Sequence, residues 1–156
     1  MKTEVFIRRS RIDASAPEVY AWHALPRALE LLTPPGEPVK ILEKSGGIEK
    51  GARVVLQVGK WPMRQKWVAV HGDFKVGCFF SDEQVSGPFA YWKHTHTFEP
   101  DGPAACFLED RVEYALPFGV LGRWFAGWYV RRQLAELFEY RHNVTVREFI
   151  HKRPEE

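Results

Sequence analysis

Between Val39 and Leu116 apolar and polar positions alternate in short runs broken by turn residues, and this two-residue period predicts strands. The runs are VKILEK, ARVVLQVG, RQKWVAVHGD, GCFFSDEQV, FAYWKHTHTF and AACFLEDRVEYAL, with SGG, SGP and EPDGP among the separating segments. Ahead of them, EVFIRRSRIDA gives a first strand that ends at SAP, where Ser15 can cap a helix with Ala16 or Pro17 in its first turn. PEVYAWHAL then reads as a short helix stopped by Pro26, and PRALELL as a second one before TPPGEP forbids more. Beyond PFG, the stretch from Val120 to Ile150 has no proline and carries helical spacing, which predicts one long C-terminal helix. The order is strand, two short helices, six strands in an antiparallel meander, long helix.

That last helix changes its apolar face. At ~100° per residue Leu121, Trp124, Phe125 and Trp128 share one stripe, while Val130, Leu134, Leu137, Phe138 and Val144 fall on nearly the opposite side. Either the helix bends near Gly127 or packs on both sides, or the Trp124, Phe125 and Trp128 group forms a ligand-portal lip or a partner surface.

Alternation also sorts the strands' side chains into faces. In CFLEDRVEYAL, Asp110 falls with Cys106, Leu108, Val112, Tyr114 and Leu116, whereas Phe107, Glu109, Arg111 and Glu113 face solvent. An ionised carboxylate among apolar neighbours must find a partner or shift its pKa. In YWKHTHTFEP the same rule turns Trp92, His94, His96 and Phe98 inward. A three-residue loop, Asp101 to Pro103, would set His94 opposite Asp110; a two-residue slip would substitute Trp92 or His96. Trp67, Ala69 and His71 share a face, as do Phe80, Asp82 and Gln84, and alternation in the first strand would bring Arg8 in as a counter-cation. So many inward polar groups do not suit a dry core.

Composition narrows the field. The 156 residues, 45% of them hydrophobic and 14% aromatic, can bury a core as one domain. We expect residues 1–150 to form it and 151–156, HKRPEE, to fray. A formal charge of +2 with mixed signs lacks the basic stripe of a nucleic-acid binder. Cys78 and Cys106 have no CxxC spacing, so neither a zinc ribbon nor a disulfide framework is indicated. No run approaches the ~20 apolar residues of a membrane span, and the N-terminus has no signal-peptide core, so a cytoplasmic protein without a transmembrane segment is expected.

The order of elements, and the segments IDASAPEVYAWHA, KWVAVHGDF, SDEQVSGPFAYWKHTHTFEPDG, LEDRVEYALPFGVLG and VRRQLAELFEYRH, resemble the START-like, polyketide-cyclase and lipid-transfer superfamily (SRPBCC). The last four of these segments look like one bacterial branch of cyclase/dehydrase-like proteins, some of whose relatives are attached to epimerase-type domains. The resemblance implies an α+β helix-grip fold: a curved seven-stranded antiparallel sheet wrapped around the long C-terminal helix, with a hydrophobic cavity between them. It implies a START-like ligand-binding domain rather than a particular reaction.

Three functions follow. A small, largely apolar ligand, lipid or polyketide-like, would be bound by aromatic walls and an inward His/Asp/Gln group drawn from Arg8, Trp67, His71, Phe80, Asp82, Gln84, Trp92, His94, His96, Asp110, Tyr114, Trp124 and Trp128. A cyclase or dehydratase would use His94 or His96, oriented by Asp110, as general base. A metal site would take His71, His94 and His96 with Asp82 or Asp110. Against all three stands a buried network that only fixes strand register. No cofactor is expected. A sheet edge or the Trp124/Trp128 surface could make the chain a homodimer.

Overall fold

A computed structural model describes residues 2–150, so the fraying expected of 151–156 lies outside the described residues. Strands β1 (Glu4–Ile12), β2 (Val39–Ser45), β3 (Arg53–Val58), β4 (Gln65–Lys75), β5 (Phe79–Ser86), β6 (Tyr91–Pro100) and β7 (Cys106–Ala115) form one antiparallel sheet in the order β1-β7-β6-β5-β4-β3-β2. Helices α1 (Ala16–His23) and α2 (Ala28–Leu31) follow β1, and α3 (Gly119–Ile150) closes the chain. This is the α+β helix-grip arrangement. Register shifts between Ile41 and Glu43 in β2, and at two places in β4, add local twist to the half of the sheet farthest from β1.

Local chemistry accounts for the short helices. Glu18 accepts the Ser15 backbone N–H at 3.0 Å, a reciprocal cap at the start of α1, and Pro17 costs nothing where an N–H has no helical partner. The chain then turns at Pro26, leaving α2 only one turn long.

Strand faces follow the sequence pattern: β6 buries Trp92, His94, His96 and Phe98, and β7 buries Cys106, Leu108, Asp110, Val112 and Tyr114. The β6–β7 register differs from the one expected. Pro100 pairs with Cys106, so the loop holds the five residues Asp101 to Ala105, closed by the Asp101 N–H on the Ala105 carbonyl at 2.9 Å. The two-residue slip puts His96, not His94, directly opposite Asp110.

α3 is a continuous helix, and its buried residues, Gly127, Leu134, Phe138, His142, Thr145 and Phe149, lie on the stripe facing the sheet. Trp124, Phe125 and Trp128 are 78%, 70% and 62% exposed, and the rings of Trp124 and Trp128 meet helix neighbours Phe125 and Tyr129 edge-on, so this face of the first turns is not packed against the sheet. Two apolar clusters result. Tyr20, Trp22, Phe80, Phe98 and Phe149 form one; Trp92, Val112, Tyr114, Leu134 and Phe138 form the other. No helix among the described residues is long and apolar enough to cross a membrane.

Candidate functional site

Between the two apolar clusters lies a polar layer, and its centre is Asp110, 2% exposed. Its Oδ1 accepts from His94 Nε2 at 2.7 Å, and its Oδ2 accepts from His142 Nε2 at 2.7 Å. His96 Nδ1 also approaches Oδ1 to 2.7 Å but too far off the N–H direction to count as a hydrogen bond. On its other side, His142 Nδ1 meets the Ser10 hydroxyl at 2.8 Å. His94 Nδ1 faces Asp82 Oδ2 at 3.5 Å, so this imidazole bridges two carboxylates.

The sheet explains these neighbours. Row by row, Arg8, Asp110, His96 and Phe80 lie abreast across β1, β7, β6 and β5, and Phe6, Val112, His94, Asp82 and His71 lie abreast in the next row. His94 therefore reaches Asp110 diagonally, while its direct partner is Asp82.

Charge is divided among these groups by burial and contact. Burial alone would lower His94, yet its contacts with Asp110 and Asp82 win and hold it at about 9. Burial would raise Asp110 and Asp82, but the imidazoles around them keep both below the usual carboxylate range, Asp110 well below it. His96 goes the other way: burial, then the charge on His94, push it down to about 4. His23, buried beside His96, is pushed to about 3, and burial lowers His71 as well. At neutral pH the layer therefore holds two carboxylates, one imidazolium at His94 and neutral rings at His23, His71 and His96.

One face of this layer opens on a cavity of about 470 Å³ between the sheet, the α2 region and α3. Trp67, His71, Phe80, Asp82, Trp92, His94 and His96 line it. Six expected ligand residues do not. Arg8 is half-buried on the inner face, but β1 and β7 are covered directly by α3, through contacts such as Phe6 on Phe138, so the hollow lies over the later strands. Tyr114 is buried under that same cover and donates to Glu4 at 3.2 Å. Gln84 folds into the β5–β6 turn, donating to the Phe89 carbonyl at 2.8 Å and accepting the Phe89 N–H at 3.3 Å. It thus positions Phe89, which is a cavity wall. Trp124 and Trp128 face solvent, 78% and 62% exposed, and form no portal lip. Asp110 lies behind the lining, held by the imidazoles.

Three contributors escaped sequence reasoning. His142 and Arg141 sit on α3, and His23 ends α1 with Nδ1 donating to the Val19 carbonyl at 2.8 Å. Helical spacing offered a signal for His142, which lies four residues from Phe138 on the buried stripe.

The metal arrangement expected from His71, His94 and His96 is not formed. Phe80 stands between His71 and His96, with ring centroids 6.0 and 4.3 Å away. The group close enough to share an ion is Asp82, His94 and His96. Within it, His94 already directs one nitrogen at each of two carboxylates, leaving neither lone pair for a cation. The same occupancy leaves His94 no lone pair to act as a general base.

A known family covers most of the chain: the one described as polyketide cyclase / dehydrase and lipid transport matches residues 12–138. No curated protein matches the chain by sequence. Among solved structures, norcoclaurine synthase from Thalictrum flavum, in complex with dopamine and hydroxybenzaldehyde, superposes with a TM-score of 0.71 at 15% identity over 99% of this chain and 90% of that one. A nucleoside-diphosphate sugar epimerase from Corynebacterium glutamicum matches with a TM-score of 0.71 at 22% identity, over 91% of this chain and 28% of that one. The Zhui aromatase/cyclase from Streptomyces sp. R1128 gives a TM-score of 0.64 at 16% identity, covering 97% and 93%. At these identities the likeness is one of fold.

Proposed function

Because the chain belongs to the polyketide cyclase / dehydrase and lipid transport family, we propose that it binds a small, largely apolar molecule, lipid or polyketide-like, in the cavity between sheet and α3. The observation that carries this reading is the cavity itself. Its volume of about 470 Å³ lies within the range of small-molecule pockets, and its walls combine aromatic and aliphatic side chains with a few convergent polar ones. Trp67, Phe89 and Trp92, with ring centroids 4.8 to 5.6 Å apart, form an aromatic wall, and the imidazoles of His23, His71 and His96 stand at the other end. The polar layer behind them supports binding more than proton transfer. His94 is held at about 9, His96 at about 4 and His23 at about 3, each away from the neutral range where a general base works best.

Native mass spectrometry of freshly isolated protein, followed by titration of tryptophan fluorescence with fatty acids, sterols and aromatic polyketide-like compounds, tests the reading. A co-purifying molecule or saturable one-to-one quenching of Trp67 and Trp92 is expected. No mass shift and no quenching across all three classes would leave the cavity without a ligand and sink the proposal.

A further inference from the structure

Arg141 is an unusual cavity residue. It is the last of the α3 positions that line the hollow, twelve residues beyond Tyr129, which places it ~18 Å farther along the helix. Its Nε donates to the Leu32 carbonyl at 3.2 Å, where α2 ends, and its Cζ lies 5.4 Å from the centroid of the Phe138 ring. Those two contacts fix the guanidinium plane and use only one of its five N–H donors. No carboxylate among the described residues forms an ion pair with it. The two nearby acids are engaged elsewhere, Asp110 by His94 and His142, and Asp82 by His94. Burial presses on the charged form, and only the more distant charges of Asp110 and Asp82 oppose it.

The guanidinium is half-buried, and its two terminal nitrogens make no hydrogen bond or ion pair with the protein among the described residues, so they remain accessible to a counter-charge from a ligand. We propose that the cavity selects an amphipathic monocarboxylate, an apolar or aromatic acid whose carboxylate is gripped end-on by the two terminal nitrogens of Arg141 while its body lies against Trp67, Phe89 and Trp92. This rests on the ligand-binding reading above and adds the charge of the ligand's head. Fork geometry suits a planar carboxylate, which two parallel N–H donors can hold at once. One negative charge also fits better than two. The charged side chains that line the hollow are Arg141, Lys44 and His94 against Asp82 and Glu37, a formal excess of one positive charge; His94 is paired with Asp82, and Lys44 donates to the Pro26 carbonyl at 2.6 Å. The imidazoles of His23 and His96 are neutral and His94 is held between two carboxylates, which leaves the fork of Arg141 as the planar cation without a carboxylate partner.

The test compares 2-naphthoate with 2-naphthamide, which share the ring system and differ in charge, by calorimetric titration near neutral pH. The wild-type protein is expected to bind both, the acid at least ~10-fold tighter than the amide. Arg141→Met should abolish that preference while leaving the amide within about twofold of wild type. Arg141→Lys keeps a cation without the fork and should retain a preference reduced several-fold; it also carries the test if Arg141→Met loses its cooperative melting transition. Equal affinity of wild type for acid and amide overturns the carboxylate proposal and leaves the pocket standing. So does a preference undiminished in either variant, since another cation would then hold the head. Failure of wild type to bind either probe counts against the cavity as a binding site and takes this proposal with it.

Discussion

Five imidazoles and two carboxylates meet in a largely buried layer, and the opposed shifts among them fix the pH range in which the fold is most stable. His94 is held at about 9 when folded against 6.5 when unfolded, so the folded state keeps a proton that the unfolded state loses in between. Its contribution is complete below pH 6.5 and is lost as pH rises toward 9. His96 and His23, at about 4 and 3, behave in the opposite sense. The unfolded chain takes up protons below 6.5 that these buried rings refuse, so stability falls as pH drops from 6.5 toward 3. Asp110 and Asp82, both held below the usual carboxylate range, add to the acid loss at the low end. Urea midpoints measured from about pH 4 to pH 9 should therefore peak near 6.5 and decline on both sides. His23→Phe, which fills the same aromatic niche beside Trp22 and Phe98, should make the acid limb shallower, with the parts due to His96, Asp110 and Asp82 remaining, and leave the alkaline one unchanged. A profile level from 5 to 9 would show that these shifts are absent.

At the level of elements, the polar layer is where α3 is fastened to the sheet. Most of the helix docks by apolar contact, but His142 crosses to Asp110 on β7 and Ser10 on β1. A double-mutant cycle reads this directly. Asp110→Ala should cost ~3–5 kcal/mol, because it strands imidazoles bound to a buried carboxylate. Glu109→Ala, one residue away on the solvent face and paired only with exposed Arg9, should cost less than ~1 kcal/mol. Combining Asp110→Ala with His142→Ala should give a coupling of ~1–3 kcal/mol, whereas strict additivity would mean that α3 docks without this contact. Alternation alone turned Asp110, His94 and His96 to the same side, since a strand's period leaves no choice once Val112 and Phe98 are buried. What alternation does not carry is loop length. The expected loop holds three residues, Asp101 to Pro103, yet Ala104 and Ala105 also stay outside the ladder, and the register moved by two. Nor does a strand pattern reveal what a distant helix contributes. Arg141 and His142 are neighbours in a charged, polar stretch, and only the path of α3 across the sheet turns both inward.

For the whole molecule, the question is whether the space between the twisted outer strands and α3 is hollow. The order of elements disclosed the helix-grip architecture, but a cavity depends on side-chain volumes summed over several elements, and no local pattern encodes that sum. Ala69 offers a way to measure it. It lies on β4 between Trp67 and His71 on the inward face and lines the cavity. In a filled core, Ala69→Phe would force a ring into occupied space and cost ~1–3 kcal/mol. Over a void of about 470 Å³ the ring has room, and it buries apolar surface that was facing an empty or wet space. The unfolding midpoint should then hold or rise while the affinity for 2-naphthamide, whose body occupies the same volume, falls at least ~10-fold. Stability and binding moving in opposite directions is the signature of a preformed pocket. A variant that loses stability in the filled-core range, with binding unchanged, would place the ligand somewhere other than between β4 and α3.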